Sequence, residues 1–170
     1  MSLKKHVVEK VSQFNDYLSF MTDKRKPLET RKYYSKKALS LFVAEGKEYK
    51  ADDVVKSGVS VEISDVKLHK VTHTTLVSFL NRLVNLPYQK VSLESSEITS
   101  IKVSELSRVD DNTFVCTCVF DQIVSGINDG KIVYKDITQK KVRCYIQAED
   151  NEDGVEYIIK LGDIVVTTIK

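Results

Sequence analysis

Apolar side chains recur at helical spacing over the first residues of the chain. Val7, Val11, Phe14, Leu18 and Met21 stand four, three, four and three apart, which puts them on one face of a helix, while Lys10, Gln13 and Asp16 fall elsewhere and face water. Residues 22–26 break this stripe. Pro27 suits the first turn of a second helix, where its missing N–H costs nothing. That helix is predicted to about Ala44, with Tyr34, Ala38, Leu41 and Phe42 on one side, Lys32 and Lys36 on the other, and Gly46 as its stop. Residues 47–58 read as irregular. Val59, Val61 and Ile63 then alternate with Ser60, Glu62 and Ser64, the period of a half-buried strand predicted over residues 59–68. A third helix is predicted from about Thr72. Leu76, Phe79, Leu80, Leu83 and Val84 form its stripe and Pro87 ends it.

From Tyr88 onward the pattern is that of strands. Segments near 88–95, 97–108, 112–126, 131–149 and 155–169 are rich in Val, Ile, Thr, Tyr and Phe. Turn residues separate them: Asp110-Asp111-Asn112, Asn128-Asp129-Gly130 and Asn151-Glu152-Asp153-Gly154. Successive hairpins without crossover helices predict an antiparallel meander, so a doubly wound α/β fold is excluded. Strands this long bend, with Gly126 and Gly162 as the expected bulges. The fold class is therefore α+β: three helices in the N-terminal half packed on a strongly curved antiparallel sheet, in one domain spanning 1–170. A sheet curled around helices encloses a cavity.

This order resembles the cone-shaped fold of the nuclear transport factor 2-like superfamily, within the cystatin-like class of α+β architectures. The resemblance is carried by the helix pair ending in Tyr33-Tyr34-Ser35-Lys36-Lys37-Ala38-Leu39-Ser40-Leu41-Phe42, the strand in 59–68, the helix containing Leu76–Val84, and the hairpins ending in Lys160-Leu161-Gly162-Asp163-Ile164-Val165-Val166. In detail it is similar to bacterial members of unassigned function. The resemblance implies a cone with a pocket at its open end and a homodimer formed through the sheet. It does not imply a reaction, because one fold hosts many functions. The isomerases of this superfamily use an Asp base opposite a Tyr and a protonated Asp; no residue of this chain can be matched to those positions.

Composition and charge narrow the classes further. With 42% hydrophobic and 29% charged residues the chain is neither disordered nor fibrous. No apolar run reaches the roughly 18 residues of a membrane span. Residues 1–10 are charged throughout and unlike a secretory leader, so the chain as written reads as cytoplasmic, or as exported if a leader had been trimmed ahead of Met1-Ser2-Leu3. The net charge is +2, with 13 basic and 8 acidic residues in 1–56 against 13 and 16 in 57–170. Lys24, Arg25, Lys26, Arg31, Lys32, Lys36 and Lys37 are the densest basic cluster, but no nucleic-acid-binding motif accompanies them. A solvated helix face is the expectation, with neither nucleic acid nor membrane as partner.

Sites of known chemistry are not apparent. Cys116, Cys118 and Cys144 lack zinc-ligand spacing and read as reduced, buried side chains. His69 and His73 are four apart but lack a His-Glu-x-x-His context, so no metal is expected. Phosphate-binding glycine loops and a nucleophile elbow are absent, and no cofactor is called for. Asp121, Asp136 and Asp163 are unusual charges within strands. At a Gly162 bulge Asp163 turns either into the cavity or toward backbone donors. The expected pocket residues are Tyr34, Phe42, Phe79, Cys118 and Asp163. The leading functional expectation is a non-catalytic module that binds a small apolar ligand or a protein partner. An isomerase, cyclase or dehydratase type of enzyme and an accessory structural domain of an exported bacterial protein stand as alternatives. A ligand site predicts a cavity of roughly 300 Å³ or more lined by Tyr34, Phe79 and Cys118. An enzyme predicts an interior carboxylate or His with a raised pKa. Association through the sheet predicts Lys141, Arg143 and Tyr145 exposed on its outer face.

Overall fold

The computed structural model describes residues 3–51, 53–65, 70–95, 97 and 100–169. Its helices are α1 (Leu3–Thr22), α2 (Leu28–Ser40) and α3 (Leu76–Val84). The strands are β1 (Tyr49–Ala51), β2 (Val54–Lys56), β3 (Ser60–Asp65), β4 (Lys70–Thr75), β5 (Lys90–Ser95), β6 (Lys102–Val103), β7 (Ser107–Arg108), β8 (Thr113–Asn128), β9 (Lys131–Asn151) and β10 (Gly154–Ile169). The main sheet runs β4-β3-β10-β9-β8-β5, with β6 and β7 also on β8, while β1 and β2 form a separate hairpin. Neighbours are antiparallel except β10 and β3, which meet in parallel at Ile164 and Val61. The fold class is α+β, three helices on a large curved sheet.

The long hairpins follow from their turns. Asp129 and Gly130 both have positive φ, 52° and 74°, the backbone of a type I′ turn that joins β8 to β9. Pairing then runs unbroken from Gly126↔Tyr134 to Thr113↔Gln147. Register shifts occur after Gly126 and across Gly162-Asp163, where the sheet bends. Inward residues of β8 and β9 change character along the strands. Cys116, Cys118, Phe120, Val142, Cys144 and Ile146 are buried at one end, and Gln122, Thr138 and Lys140 continue the same face toward the other.

The α1 stripe Val7, Val11, Phe14, Leu18 and Met21 is wholly buried against this face, and so is the α3 stripe. Phe14 meets Phe42 edge-on with ring centroids 5.0 Å apart. The second helix stops at Ser40, short of Ala44. The Leu161 N–H donates to the Leu41 carbonyl at 2.9 Å, so the chain turns extended at Phe42 and lies beside β10 instead of continuing the helix. A tight turn follows in which Ala44 and Glu45 adopt left-handed φ of 51° and 53°.

Two elements differ from the sequence expectation. Residues 70–75 form β4 against β3, and α3 begins only at Leu76, where the Thr75 hydroxyl accepts from the Ser78 N–H at 3.2 Å. Val71, Thr72, Thr74 and Thr75 are β-branched, which favours the strand. Residues 49–51 and 54–56, expected to be irregular, pair as β1 and β2. Among the described residues of the strand expected over 97–108, only the short β6 and β7 form. His69 and the end of the 59–68 segment lie outside the described residues.

Because Phe42 couples α1 to β10, Phe42→Ala is expected to cost about 3 to 5 kcal/mol. Urea unfolding checks this as a lowered midpoint at unchanged m-value.

Candidate functional site

Where the apolar part of the inward sheet face gives way to polar residues, α3, β3, β8 and β9 surround a cavity of about 110 Å³. Its walls grade from the exposed Arg82 through the half-buried Leu86, Tyr88, Val124, Tyr134 and Asp136 to the buried Ser64, Phe79, Leu83, Gln122 and Lys140. The cavity therefore opens to solvent near Arg82 and is floored by Lys140. At its rim Tyr88 stacks on Tyr134, rings 5.8 Å apart and 15° from parallel. Gly126 allows this, since a Cβ there would fall 2.5 Å from the Tyr88 ring.

Lys140 is the notable side chain. It follows the same alternation as Val142, Cys144 and Ile146, so its stem enters the core and only 8% of the residue is exposed. Its Nζ donates to the Gln122 Oε1 at 2.9 Å and lies 5.2 Å from the centroid of the Phe79 ring. The Gln122 Nε2 donates in turn to the Asn15 Oδ1 at 3.4 Å, and the buried Asn15 Nδ2 has no partner. Among the described residues no carboxylate forms an ion pair with Lys140. Asp136 faces the same cavity and instead accepts from the Ser64 hydroxyl at 2.8 and 3.0 Å. Burial pulls the Lys140 pKa from 10.5 down to about 8, opposed only in part by the field of Asp136. An amine with such a pKa is ionised at neutral pH but exchanges its proton readily.

Of the five expected pocket residues, the structure puts Phe79 on this wall. Phe42 and Cys118 are fully buried in the core, and burial raises the Cys118 thiol to about 12. Tyr34 packs on the helix side against Tyr17, Phe20 and Tyr33. Asp163 is turned by its bulge toward the β1–β2 hairpin. There it accepts from the Ser60 N–H at 2.8 Å, the Lys56 Nζ at 2.9 Å and the Tyr49 hydroxyl at 3.4 Å. That carboxylate is fully occupied. The Tyr49 ring also meets Tyr145 edge-on, and Lys141, Arg143 and Tyr145 are half-buried.

Sequence reasoning passed over Lys140 and Gln122, although each sits in phase with a buried apolar strand face. Other features are structural. Lys24 and Arg31 donate to the Leu86 and Val84 carbonyls at 2.6 and 2.8 Å, capping the end of α3. His73 is exposed on β4, 3.7 Å from Glu62. Cys116, Cys118 and Cys144 are free and buried. No three His, Cys, Asp or Glu side chains among the described residues converge as metal ligands. Two wider grooves, of about 660 and 590 Å³, lie along α1 and the α1–α2 turn and are lined mainly by polar and charged side chains. The first includes the half-buried Lys10, whose pKa is lowered by burial and by the charge of Lys160.

No protein-family model matches the chain, and no curated protein matches its sequence. In structure it is similar to a provisionally assigned scytalone dehydratase from Novosphingobium aromaticivorans DSM 12444, at 12% identity and a TM-score of 0.42, with 99% of this chain and 91% of that one covered. It is also similar to a type 2 hexachlorocyclohexane dehydrochlorinase, at 8% identity and a TM-score of 0.42, covering 99% and 92%. A Kribbella flavida protein aligns at 7% identity and a TM-score of 0.39, covering 99% and 95%. In this α+β fold the cavity beside α3 is floored by Lys140, which has no ion-paired carboxylate among the described residues.

The buried ammonium makes stability depend on pH in a defined sense. Below pH 8 both folded and unfolded states hold the proton, and the folded state carries the full cost of a buried charge. Between pH 8 and about 10.5 the unfolded state binds more protons, so this cost disappears as pH rises. Relative to Lys140→Met, the wild-type protein is expected to gain about 3 kcal/mol between pH 7 and about pH 10.5, read by urea unfolding of both proteins.

Proposed function

We propose that the chain is a small-molecule-binding module of the nuclear transport factor 2-like kind, with the mouth of the cone as its site. The observation that carries this reading is the Lys140 ammonium, held on the cavity floor with a neutral amide and an aromatic ring for company. A charge buried in this way is costly, and an anionic or strongly polar oxygen from a ligand offsets that cost. Phe79, Leu83, Leu86 and Val124 supply an apolar wall. The volume of about 110 Å³ is below the ~150 Å³ that encloses benzene. The site suits a compact branched or cyclic body with one carboxylate or carbonyl oxygen on Lys140, with any larger part projecting past Arg82.

Isovalerate tests this reading, with cyclopentanone as its uncharged counterpart. At about 0.7 kcal/mol per heavy atom, isovalerate is expected to bind with a Kd of a few tenths of a millimolar. Nitrogen-15 NMR shifts should cluster around Phe79, Gln122 and Lys140. Because the anion needs a protonated lysine, its affinity should fall about tenfold per pH unit above pH 8, whereas cyclopentanone should show little change. Lys140→Met should weaken isovalerate at least tenfold. Shifts scattered over the surface, or affinity unaltered by Lys140→Met, would overturn the proposal.

A further inference from the structure

We infer that Lys140 is also a nucleophilic amine, which condenses with a small aldehyde or ketone in the cone mouth to form an imine. The inference deepens the proposed use of the cavity and rests on it. Three features of the geometry lead there. The Lys140 stem is fixed by its place in β9, so Nζ stands on the floor of a cavity that opens to solvent. One N–H is held by the Gln122 carbonyl oxygen, which leaves the lone pair of the uncharged amine free to face the cavity. Apolar walls then receive the body of the carbonyl compound.

Few groups line the cavity around this amine, and of the charged ones only Asp136 acts on its pKa. Asp136 and Tyr134 come from its own strand, Arg82 from α3 and Tyr88 from the segment ahead of β5, while β8 and α1 offer the neutral Gln122 and Asn15. Burial outweighs the single carboxylate, so the pKa of about 8 leaves roughly a tenth of the amine uncharged at pH 7. An exposed lysine has about a hundredth of that fraction or less.

The step balances without an oxidant or reductant. Nζ attacks the carbonyl carbon, and the π pair of the C=O bond moves onto oxygen. One proton leaves the nitrogen and reaches that oxygen by way of water at the cavity mouth, giving a carbinolamine. The hydroxyl then departs as water with the second N–H proton, and the nitrogen lone pair closes the C=N bond. One water is released, and the carbonyl oxygen leaves in it.

Isobutyraldehyde is small enough for the cavity, and cyanoborohydride reduces its imine to a stable secondary amine that peptide mass mapping can locate. With one equivalent of aldehyde on the full chain, Lys140 is expected to be alkylated at least tenfold faster than the exposed Lys36 and Lys37. Its rate should rise to a plateau around pH 8, whereas those of Lys36 and Lys37 should still be climbing at pH 9. Isovalerate should slow alkylation at Lys140 alone. Because the field of Asp136 raises the Lys140 pKa, Asp136→Asn should move that plateau to lower pH, a shift that a merely structural role for Asp136 would not produce. Labelling of Lys140 no faster than Lys36 would overturn the inference, and if isovalerate still bound, the ligand reading would survive it. Selective labelling of Lys140 in a protein that does not bind isovalerate would instead uphold the imine and remove the anion from the ligand reading.

Discussion

The register between β8 and β9 decides which side chains face the hollow of this fold. Pairing from Thr113↔Gln147 to Gly126↔Tyr134 has no interruption, so one choice of phase assigns every side chain along it. A slip of β9 by one residue against β8 would turn Val142, Cys144 and Ile146 to the outer face and bring Lys141 and Arg143 into the core. The Asp129-Gly130 turn excludes that slip locally, and the apolar half of the strands excludes it energetically. Lys140 is thus carried inward as a consequence of pairing that many buried neighbours enforce. The neighbours beyond Cys118 and Val142 supply the stability, and the lysine draws on it.

That arrangement explains how a charge can sit at the floor of a partly closed cavity. Replacing Lys140 by an apolar residue would spare the sheet the cost of burying an ammonium at neutral pH, so nothing in the folding of the chain calls for a lysine there. The amide chain behind it is similarly unprofitable for stability. Gln122 satisfies Lys140 and Asn15 accepts from Gln122, but the Asn15 Nδ2 ends the chain unpaired. Groups of this kind are concentrated where a fold holds something other than itself.

Much of the architecture was legible because it depends on local periodicity. The α1 and α3 stripes, the hairpin turns and the bends at Gly126 and Gly162 all follow from residues close in sequence. What failed depended on tertiary partners. Residues 70–75 look like the start of a helix until β3 is present to pair with them, and the second helix is cut short by a hydrogen bond from Leu161, far along the chain. The site was read poorly for a different reason. Aromatic residues of helix stripes were weighed as pocket lining, yet Phe42 is consumed by packing on Phe14 and Tyr34 by a cluster on the helix side. Lys140 was passed over, although its parity with Val142, Cys144 and Ile146 already placed it on the inner face. Parity along a long strand was therefore the stronger signal, and residue type the weaker.

Asp163 and Lys140 make the distinction between a structural and a functional polar group concrete. Both interrupt apolar strands, Lys140 buried and Asp163 half-buried. Asp163 is surrounded by donors from Ser60, Lys56 and Tyr49, each of which it helps to position, and together they fasten the β1–β2 hairpin to the bend in β10. A group whose bonding capacity is filled by its own fold has nothing left with which to recognise a ligand. Lys140 has one neutral acceptor for three N–H bonds, an aromatic face beside it and open volume in front. The unsatisfied capacity, more than the burial or the charge, is what separates the mouth of the cone from the polar cluster at the bend.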